Sequence, residues 1–316
     1  MTPEFDLIAT YFTRSTPGAE LGVGDDAALI TVKQGCQLAI SADMLVAGTH
    51  FFHDTMPYDI GWKSLAVNIS DMAAMGAQPK WATLAIALPE ISEHWLKEFS
   101  RGFFACADTF GVELLGGDTT RGPLNISIQI MGEVLAGKAL RRDGAKAGDD
   151  IWVSGQLGSA ALGLAHLQGK ITLDSTVLTH CLHALHTPLP RTALGLGLLG
   201  IANSCIDISD GLLADLGHIL EASHLGAVIS LHEVQCHDYL HAHLNEKLVQ
   251  QCILAGGDDY ELAFTAPQSQ RGVIRQLGQQ LNLPLSLIGE TTAKPGLQVA
   301  YQGQILDLSK KGFDHF

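Results

Sequence analysis

Basic residues are scarce in this 316-residue sequence, which has 19 Lys and Arg against 33 Asp and Glu and a formal net charge of −14. Nucleic acids and anionic membranes are bound through a surplus of Lys and Arg, so the composition disfavours both as main partners. The sequence also lacks a purely apolar run of membrane-spanning length, because its longest uncharged stretch, 151–169, contains glycine, glutamine, serine and histidine. The opening MTPEFDLIATYF has no basic lead typical of a signal or transit peptide, and we expect a cytoplasmic protein.

Cysteine pairs and the common phosphate-binding loops are missing as well. The six cysteines form no CxxC pair and are widely spaced: Cys36, Cys106, Cys181, Cys205, Cys236 and Cys252. This spacing indicates neither a disulfide framework nor a zinc site, and it predicts reduced thiols in buried positions. Neither G-x-x-x-x-G-K-[ST] nor a kinase-type glycine loop occurs, so a phosphoryl-transfer enzyme with this sequence belongs to neither common class.

The elements that are present predict an α/β (α+β) fold in two domains. The hydrophobic share of 47% and the 34 glycines are typical of a soluble α/β protein. After an opening helix, strand-like and helical runs alternate in the first half: strands at 36–41, 81–88, 112–115 and 125–134, helices near 58–77 and 92–109. The second half continues with helices at 157–168, 190–200, 211–222 and 269–281 and with the short strands AVISL and LAFT. The glycine-rich, charged segment 137–150 separates the halves and predicts domains at 1–138 and 147–316.

Aspartates stand just after apolar runs at several points of the chain. The runs are VGDD, LAISAD, LLGGD, CIDISDG and ILAGGDD, and their acids are Asp25, Asp26, Asp43, Asp118, Asp207, Asp210, Asp258 and Asp259. Ligands of α/β folds collect at the carboxyl ends of strands, so we expect these acids to converge on one crevice. The alternative is structural, because aspartate is common in turns and at helix N-caps.

Asp71 differs from these acids because it falls inside a helical segment, YDIGWKSLAVNISDMAAMGA. At 100° per residue, one side of this helix is apolar, whereas Ser64, Asn68 and Asp71 share the opposite side. That polar side is explained either by contact with solvent or by a binding role for Asp71.

Oxygen donors with few histidines or thiols nearby favour a hard cation, Mg²⁺ or Mn²⁺. Such a metal bridges a carboxylate to a polyphosphate, which explains an aspartate in LLGGDTTRG, where a phosphate-binding loop has a lysine. Gly116 and Gly117 allow close backbone approach there, and Arg121, Arg141 and Arg142 are candidates for direct phosphate contact.

These motifs together resemble the thiamine-monophosphate kinases of the aminoimidazole-ribotide-synthetase-like superfamily. The resemblance runs nearly end to end and in order: ELGVGDDAAL, AISADMLVAGTHF, KSLAVNISDMAAMGA, LLGGDTTRGPL, RRDGAKAGD, TPLPR, IDISDGLLADLGHI, GGDDYEL and KGFDHF. It implies transfer of the ATP γ-phosphoryl group to thiamine phosphate with several Mg²⁺ ions. It also implies two α/β domains, with the N-terminal domain binding ATP and Mg²⁺ and forming a homodimer through a barrel of N-terminal sheets.

The resemblance also implies roles for single residues, matched motif by motif. The metal ligands are Asp26, Ser41, Ala42 through its carbonyl, Asp43, Asp71, Asp118, Asp207 and Asp210. The nucleotide contacts are Gly117, Asp118, Arg142 and Ser209, the thiamine-phosphate contacts are His50, Asp258 and Lys310, and the catalytic carboxylates are Asp43, Asp118 and Asp210. Two positions depart from the family pattern: Asp258 replaces a glutamate, and Lys310 stands where an aromatic residue is usual.

Two other functions and one other site stay open at the level of sequence. The chain could instead be another ATP-dependent member of the superfamily, such as aminoimidazole-ribotide synthetase itself. The motifs GTHF, IDISDG and KGFDHF match that enzyme less well. A catalytically silent protein that binds nucleotide or metal on the same scaffold is the non-enzymatic alternative. His180, His183 and His186 at i, i+3 and i+6 suggest either a metal site or, as we expect, an ordinary helix surface.

Overall fold

The structure is a computed structural model that describes residues 4–306 and Gly312, and it divides the chain into two compact units. The first unit comprises residues up to 72 together with 77–137, and the second comprises 73–76 and the residues from 138 onward. Lys310, a predicted site residue, lies outside the described residues. No helix within the described ranges is long and apolar enough to cross a membrane.

The first unit consists of a four-stranded sheet and three helices. Its elements are α1 (Glu4–Tyr11), β1 (Cys36–Val46), α2 (Pro57–Ala74), β2 (Gln78–Leu88), α3 (Glu93–Phe110), β3 (Glu113–Arg121) and β4 (Asn125–Leu135). The strand order is β1-β4-β2-β3, with β2 and β3 parallel and the other pairs antiparallel. Alternate residues of β4, among them Ile126, Ile128 and Ile130, are buried, as a sheet covered on one face requires.

Two predicted strands continue further than their sequence patterns indicate. β1 runs to Val46 and β3 runs to Arg121, so Asp43 and Asp118 lie within strands, whereas the predicted strands 36–41 and 112–115 end before them. The cause is tertiary pairing: β4 pairs with β1 over its full length, and β2 supplies a parallel partner as far as Arg121. Strand pairing thus overrides the low strand propensity of glycine and aspartate.

The second unit is built on a mixed seven-stranded sheet. Its elements are β5 (Asp150–Ser154), α4 (Ser159–Leu167), α5 (Ser175–His186), α6 (Thr192–Gly197), β6 (Ser204–Asp207), α7 (Leu212–Ala222), β7 (Gly226–Ser230), α8 (Asp238–Ala242), α9 (Lys247–Ala255), β8 (Leu262–Ala266), α10 (Arg271–Leu281), β9 (Leu285–Thr292), β10 (Gly296–Tyr301) and β11 (Gln304–Ile305). The strand order is β11-β10-β7-β9-β5-β8-β6. The apolar run before Asp258 ends helix α9, so that acid follows a helix and not a strand.

Helices cover both faces of the second sheet, because neighbouring residues of one strand enter two different cores. Ile151 and Val153 of β5 pack with residues of α4, α5, α7 and α9, whereas Trp152 between them packs with Leu194 of α6 and Ile274 of α10. This three-layer arrangement confirms the predicted α/β architecture. The predicted dimer barrel stays a prediction.

The cysteines are free thiols, as predicted, and all but Cys36 are buried. Burial raises the pKa of Cys181 to about 11 and that of Cys252 to about 12, so these thiols stay protonated near neutral pH.

The two glycines of LLGGD have different surroundings, which gives a test of the fold. A Cβ added to Gly117 would lie 1.7 Å from the backbone oxygen of Leu84 on β2, whereas one added to Gly116 would meet nothing within 4 Å. We therefore expect Gly117→Ala to lower the free energy of unfolding by about 3 kcal/mol, because β2 and β3 must separate to admit the methyl group. Gly116→Ala should change it by less than about 1 kcal/mol. Equal midpoints for both variants in urea denaturation would contradict this account.

Candidate active site

The first unit contains a cavity of about 590 Å³ beside the edge strand β3. Its wall is largely apolar and includes Ile8, Phe12 and Leu84. The remaining lining residues are Val23, Gly24, Asp25, Asp26, Ala27, Ala28, Thr83, Ile86, Leu114, Leu115, Gly116, Gly117, Asp118 and Thr119. The predicted residues Asp26, Gly117 and Asp118 therefore share one cavity, whose size lies within the usual range for a small-molecule site.

A second group of predicted residues meets where α2 packs on β1. The hydroxyl of Ser41 donates to Oδ2 of Asp71 at 2.5 Å, and the backbone N–H of Asp43 donates to Oδ1 of Asn68 at 3.1 Å. The interpretation of this helix face as solvated is wrong, since Ser64 and Asn68 are fully buried. β1 supplies the partners of Asp71 and of Asn68 Oδ1, and Ser64 donates to the backbone oxygen of Gly61 within α2, so these polar groups are not left unpaired.

Asn68 contacts this group of residues but is not among the predicted site residues. Its Nδ2 donates to the backbone oxygen of Ser64 at 3.0 Å, which leaves Oδ1 as the acceptor for Asp43. The available signal was its place on the same helix face as Asp71. Ala42 has an exposed side chain on the opposite side of β1, so it has only backbone groups to offer a ligand.

His50 lies in the turn that follows β1. Its Nδ1 accepts the backbone N–H of Val46 at 2.9 Å, and its own backbone N–H donates to the oxygen of Val46 at 2.9 Å. These two bonds fix the imidazole relative to the end of the strand. Because Nδ1 is an acceptor, the neutral ring carries its proton on Nε2.

In the second unit, two loops pair side by side and bring predicted residues together. The backbone N–H of Asp258 donates to the oxygen of Ser209 at 2.9 Å, and that of Tyr260 donates to the oxygen of Ile208 at 2.8 Å. The hydroxyl of Tyr260 also donates to Oδ1 of Asp258 at 3.1 Å. Asp207 at the end of β6 leads directly into this pair of loops.

Gly312, from the C-terminal motif, lies against the first of these loops and the start of α7. A Cβ added to it would be 3.0 Å from the backbone oxygen of Asp210 and 2.5 Å from Cβ of Ala214. Gly312 therefore lies beside the loop that carries Asp210 and the first turn of α7.

Asp215, which was not among the predicted site residues, hydrogen-bonds to the backbone of the first of these loops, residues 209–211. Its Oδ2 accepts the backbone N–H groups of Ser209, Asp210 and Gly211, each at 3.0 Å. Loss of hydration on burial raises the pKa of Asp215 to about 6, in spite of these three bonds. The available signal was an acid in the first turn of α7, directly after the loop.

The two arginines of RRDG differ in their contacts. Arg141 makes a bidentate ion pair with Asp143 at 2.8 and 2.6 Å on the protein surface, and its contact with phosphate stays a prediction. Arg142 is exposed, and within residues 4–306 its guanidinium has no hydrogen bond or ion pair. Arg142 is therefore the better candidate for contact with an anion.

The donors that these groups offer are oxygens of carboxylates, hydroxyls and the backbone, which suit a hard cation. Among the described residues, no three His, Cys, Asp or Glu side chains stand close enough together to form a metal centre on their own. Mg²⁺ needs no such cluster, because it is usually held by one or two carboxylates together with substrate phosphates and water.

The histidines of α5 form no metal site among the described residues. His180 Nε2 lies 3.3 Å from the hydroxyl of Ser159, and its ring centroid lies 4.5 Å from that of His237. Burial lowers the pKa of His180, as expected for a half-buried imidazole.

Comparison with known proteins relates the whole chain to one family. The families described as AIR synthase related protein, N-terminal domain, and AIR synthase related protein, C-terminal domain, match residues 24–134 and 146–302. The thiamine-monophosphate kinase of Salmonella typhimurium is 45% identical, over 99% of this chain and 98% of its own. The crystal structure of thiamine-monophosphate kinase from Stenotrophomonas maltophilia K279a is 46% identical, with a TM-score of 0.85 over 91% of this chain and 93% of its own. A structure described as AaThiL complexed with AMPPCP and TMP is 27% identical, with a TM-score of 0.79 over 90% of this chain and 89% of its own.

Asp259 gives a pH-dependent test of the second unit. Its two carboxylate oxygens each lie 3.0 Å from the backbone N–H of Gly158, and loss of hydration raises its pKa well above the ordinary 3.8. A raised folded-state pKa means that the stabilising contribution is complete below pH 3.8 and is lost as the pH rises through the raised value. We expect Asp259→Asn, which cannot ionise, to gain melting temperature relative to the wild type between pH 4 and pH 8.

The control for this test is Asp174→Asn, which replaces an exposed carboxylate that caps α5. The difference in melting temperature between Asp174→Asn and the wild type should not increase with pH. Parallel melting curves for wild type and Asp259→Asn at every pH would contradict the assignment.

Proposed function

Because this chain belongs to the AIR synthase related family and, within it, to the thiamine-monophosphate kinases, we propose that it transfers the γ-phosphoryl group of ATP to thiamine phosphate, giving thiamine diphosphate. The observation that carries the proposal is the 45% identity over 99% of the chain. The relative with AMPPCP, an ATP analogue, and TMP supports the same pair of substrates. The use of ATP and the buried free thiols support a cytoplasmic location.

We assign the cavity of the first unit to the nucleotide. Its apolar wall suits the base, and the exposed carboxylates of Asp26 and Asp118 suit the cation that accompanies the phosphates. Gly116 lines this cavity, and a Cβ added to it would meet nothing within 4 Å. Arg142 is assigned to the nucleotide on the family resemblance and on its guanidinium, which is free of partners among the described residues. On this proposal residues 1–138 form the ATP- and Mg²⁺-binding and dimerisation domain, and residues 147–316 form the C-terminal α/β domain.

We assign the carboxylates to Mg²⁺, several ions of which the family resemblance implies. In the first unit the proposed ligands are Asp26, Ser41, Ala42 by its carbonyl, Asp43, Asp71 and Asp118, and in the second unit they are Asp207 and Asp210. When bound, the cation offsets the charge of the phosphates. Ser41 holds Asp71 in place and Asn68 holds the backbone of Asp43, so these residues keep the oxygen donors oriented.

The reaction needs charge compensation more than a strong base. A phosphate monoester has a second pKa near 6, so the acceptor is mostly an anionic nucleophile at neutral pH. Its approach to ATP is opposed by repulsion of roughly 4 kcal/mol per pair of unit charges about 4 Å apart at an effective dielectric of 20. We therefore propose that Asp43, Asp118 and Asp210 act by holding cations. On this proposal Ser209 and Gly117 contact the nucleotide.

We propose that His50, Asp258 and Lys310 contact thiamine phosphate. The ring of His50 is fixed by Val46, and Asp258 is held by Ser209 and Tyr260, so both side chains have defined positions. The assignment of Lys310 to thiamine phosphate rests on the family resemblance alone.

The first test is an assay of purified protein with ATP and thiamine phosphate, with and without Mg²⁺. We expect ATP consumption that depends on thiamine phosphate and stops in excess EDTA, because the proposed ligands are oxygen donors. Asp118→Asn should lower kcat by about 100-fold or more with an unchanged melting temperature, since this exposed carboxylate serves the site more than the core. The matched control is Asp108→Asn, an exposed aspartate of α3 paired with Arg14, which should keep full turnover.

Two outcomes of this assay would contradict the proposed function and favour another one. Binding of ATP without turnover on thiamine phosphate would favour a silent nucleotide-binding protein. Turnover on another acceptor would favour a different ATP-dependent member of the superfamily.

We also propose that the protein is a homodimer formed through the sheet of the first unit. β1 is an edge strand, and its outer face carries the exposed side chains of Leu38, Ile40 and Met44. An exposed edge strand with an apolar face is normally covered, and a second copy of the chain offers a matching surface.

We expect a dimer mass by light scattering at micromolar concentration and a shift toward monomer for Ile40→Lys. Ile40 is 61% exposed, so the substitution adds a charge to the proposed interface without disturbing the core. Val273→Lys, which changes an exposed aliphatic residue of α10, is the matched control and should keep the dimer mass. A monomeric wild type would refute this proposal.

A further inference from the structure

One carboxylate oxygen, Oδ2 of Asp215, receives three successive backbone N–H groups at 3.0 Å, those of Ser209, Asp210 and Gly211. Asp215 is 3% exposed, and among the described residues no Lys, Arg or His forms an ion pair with it. An N-capping side chain usually satisfies one or two donors of a helix start. Three donors on one buried oxygen therefore fix the loop more firmly than a cap of α7 requires.

The direction of these donors determines what the loop can bind. Successive N–H groups at a helix N-terminus commonly bind phosphate or another anion. Here the chain supplies the anion itself, so the three groups face Asp215 and are not available to a phosphate. The backbone oxygen of Ser209 is engaged by Asp258, which holds the other side of the loop.

We propose that Asp215 is a positioning residue that locks the loop Ser209–Gly211 in a conformation in which Asp210 receives a cation and phosphate is excluded from the start of α7. The inference rests on the proposed function of the same loop, and it adds a residue outside the ligand set. The negative charge of Asp215 is needed because a neutral acceptor would hold three N–H groups less strongly. Asp215 itself contacts no substrate.

A matched buried carboxylate exists in the same unit. Asp149 is 4% exposed and accepts the backbone N–H of Lys146 at 2.9 Å and the amide of Asn203 at 3.0 and 2.8 Å. It supports a turn that contains none of the predicted site residues. Asp149→Asn therefore reports what the loss of a buried, hydrogen-bonded charge does by itself.

The experiment compares wild type, Asp215→Asn and Asp149→Asn in the full chain by three readouts. Hydrogen exchange of the amides of 209–211 should become about tenfold faster or more in Asp215→Asn only, because these are the donors that lose the charged acceptor. Binding of Mn²⁺ in the presence of ATP, followed by electron paramagnetic resonance, should weaken by about fivefold or more in that variant. Its kcat should fall by about tenfold with a nearly unchanged KM for thiamine phosphate.

A double variant separates positioning from general support. If Asp215 acts through Asp210, adding Asp215→Asn to Asp210→Asn should lower kcat by no more than about twofold further. A full tenfold additional loss would overturn the proposal.

Three further outcomes decide against it. If amide exchange and Mn²⁺ binding of Asp215→Asn equal those of the wild type, the charge of Asp215 does not hold the loop. Equal losses in Asp149→Asn, or melting of Asp215→Asn more than about 10 °C below the wild type, would assign Asp215 to the scaffold. An inactive wild type would refute the proposed function alone, because exchange and Mn²⁺ binding still test the positioning role.

Discussion

Backbone N–H groups, and not basic side chains, hold the two carboxylates on which the paired loops of the second unit rest. Asp215 receives three of them from the loop that follows β6, and Asp259 receives that of Gly158. Elsewhere in the unit a buried carboxylate is paired with arginine, as in Arg271 with Asp150 at 2.6 Å. A neutral donor stabilises a carboxylate without cancelling its charge. Burial still raises the pKa of both carboxylates, to about 6 for Asp215, so these bonds offset the loss of hydration only in part.

In the first unit, a helix and a strand hold the candidate acids by hydrogen bonds. The polar face of α2 is buried against β1, where Asn68 and Ser41 fix the backbone of Asp43 and the carboxylate of Asp71. A side chain held by regular secondary structure on both sides moves less than one in a loop. On the proposed function, this fixed orientation of the oxygen donors lowers the entropic cost of binding a cation.

Local sequence patterns predicted the elements well where hydrophobic periodicity was strong, as in α2 and β4, and failed where long-range pairing decided the outcome. Gly116, Gly117 and Asp118 have low strand propensity, yet pairing with β2 holds them in β3. Three of the candidate residues taken from the family motifs, Asp26, Gly117 and Asp118, line one cavity. They did not include Asn68 or Asp215, because a shared helix face and an acid in a first helical turn are weak signals until the backbone N–H groups that these side chains accept are seen in three dimensions.

Backbone strain is concentrated at the same loops. Asp258 and Tyr260 have φ values of 70° and 50°, a left-handed conformation that costs about 1 kcal/mol or more for a residue with a side chain. Such strain persists only where the surroundings over-determine it, and here the bonds from Asp258 to Ser209 and from Tyr260 to Ile208 do so. Aspartate tolerates this conformation better than a longer side chain, since its carboxylate can bond locally, as it does with the hydroxyl of Tyr260. The shorter acid at position 258 thus suits the backbone conformation that the loop imposes.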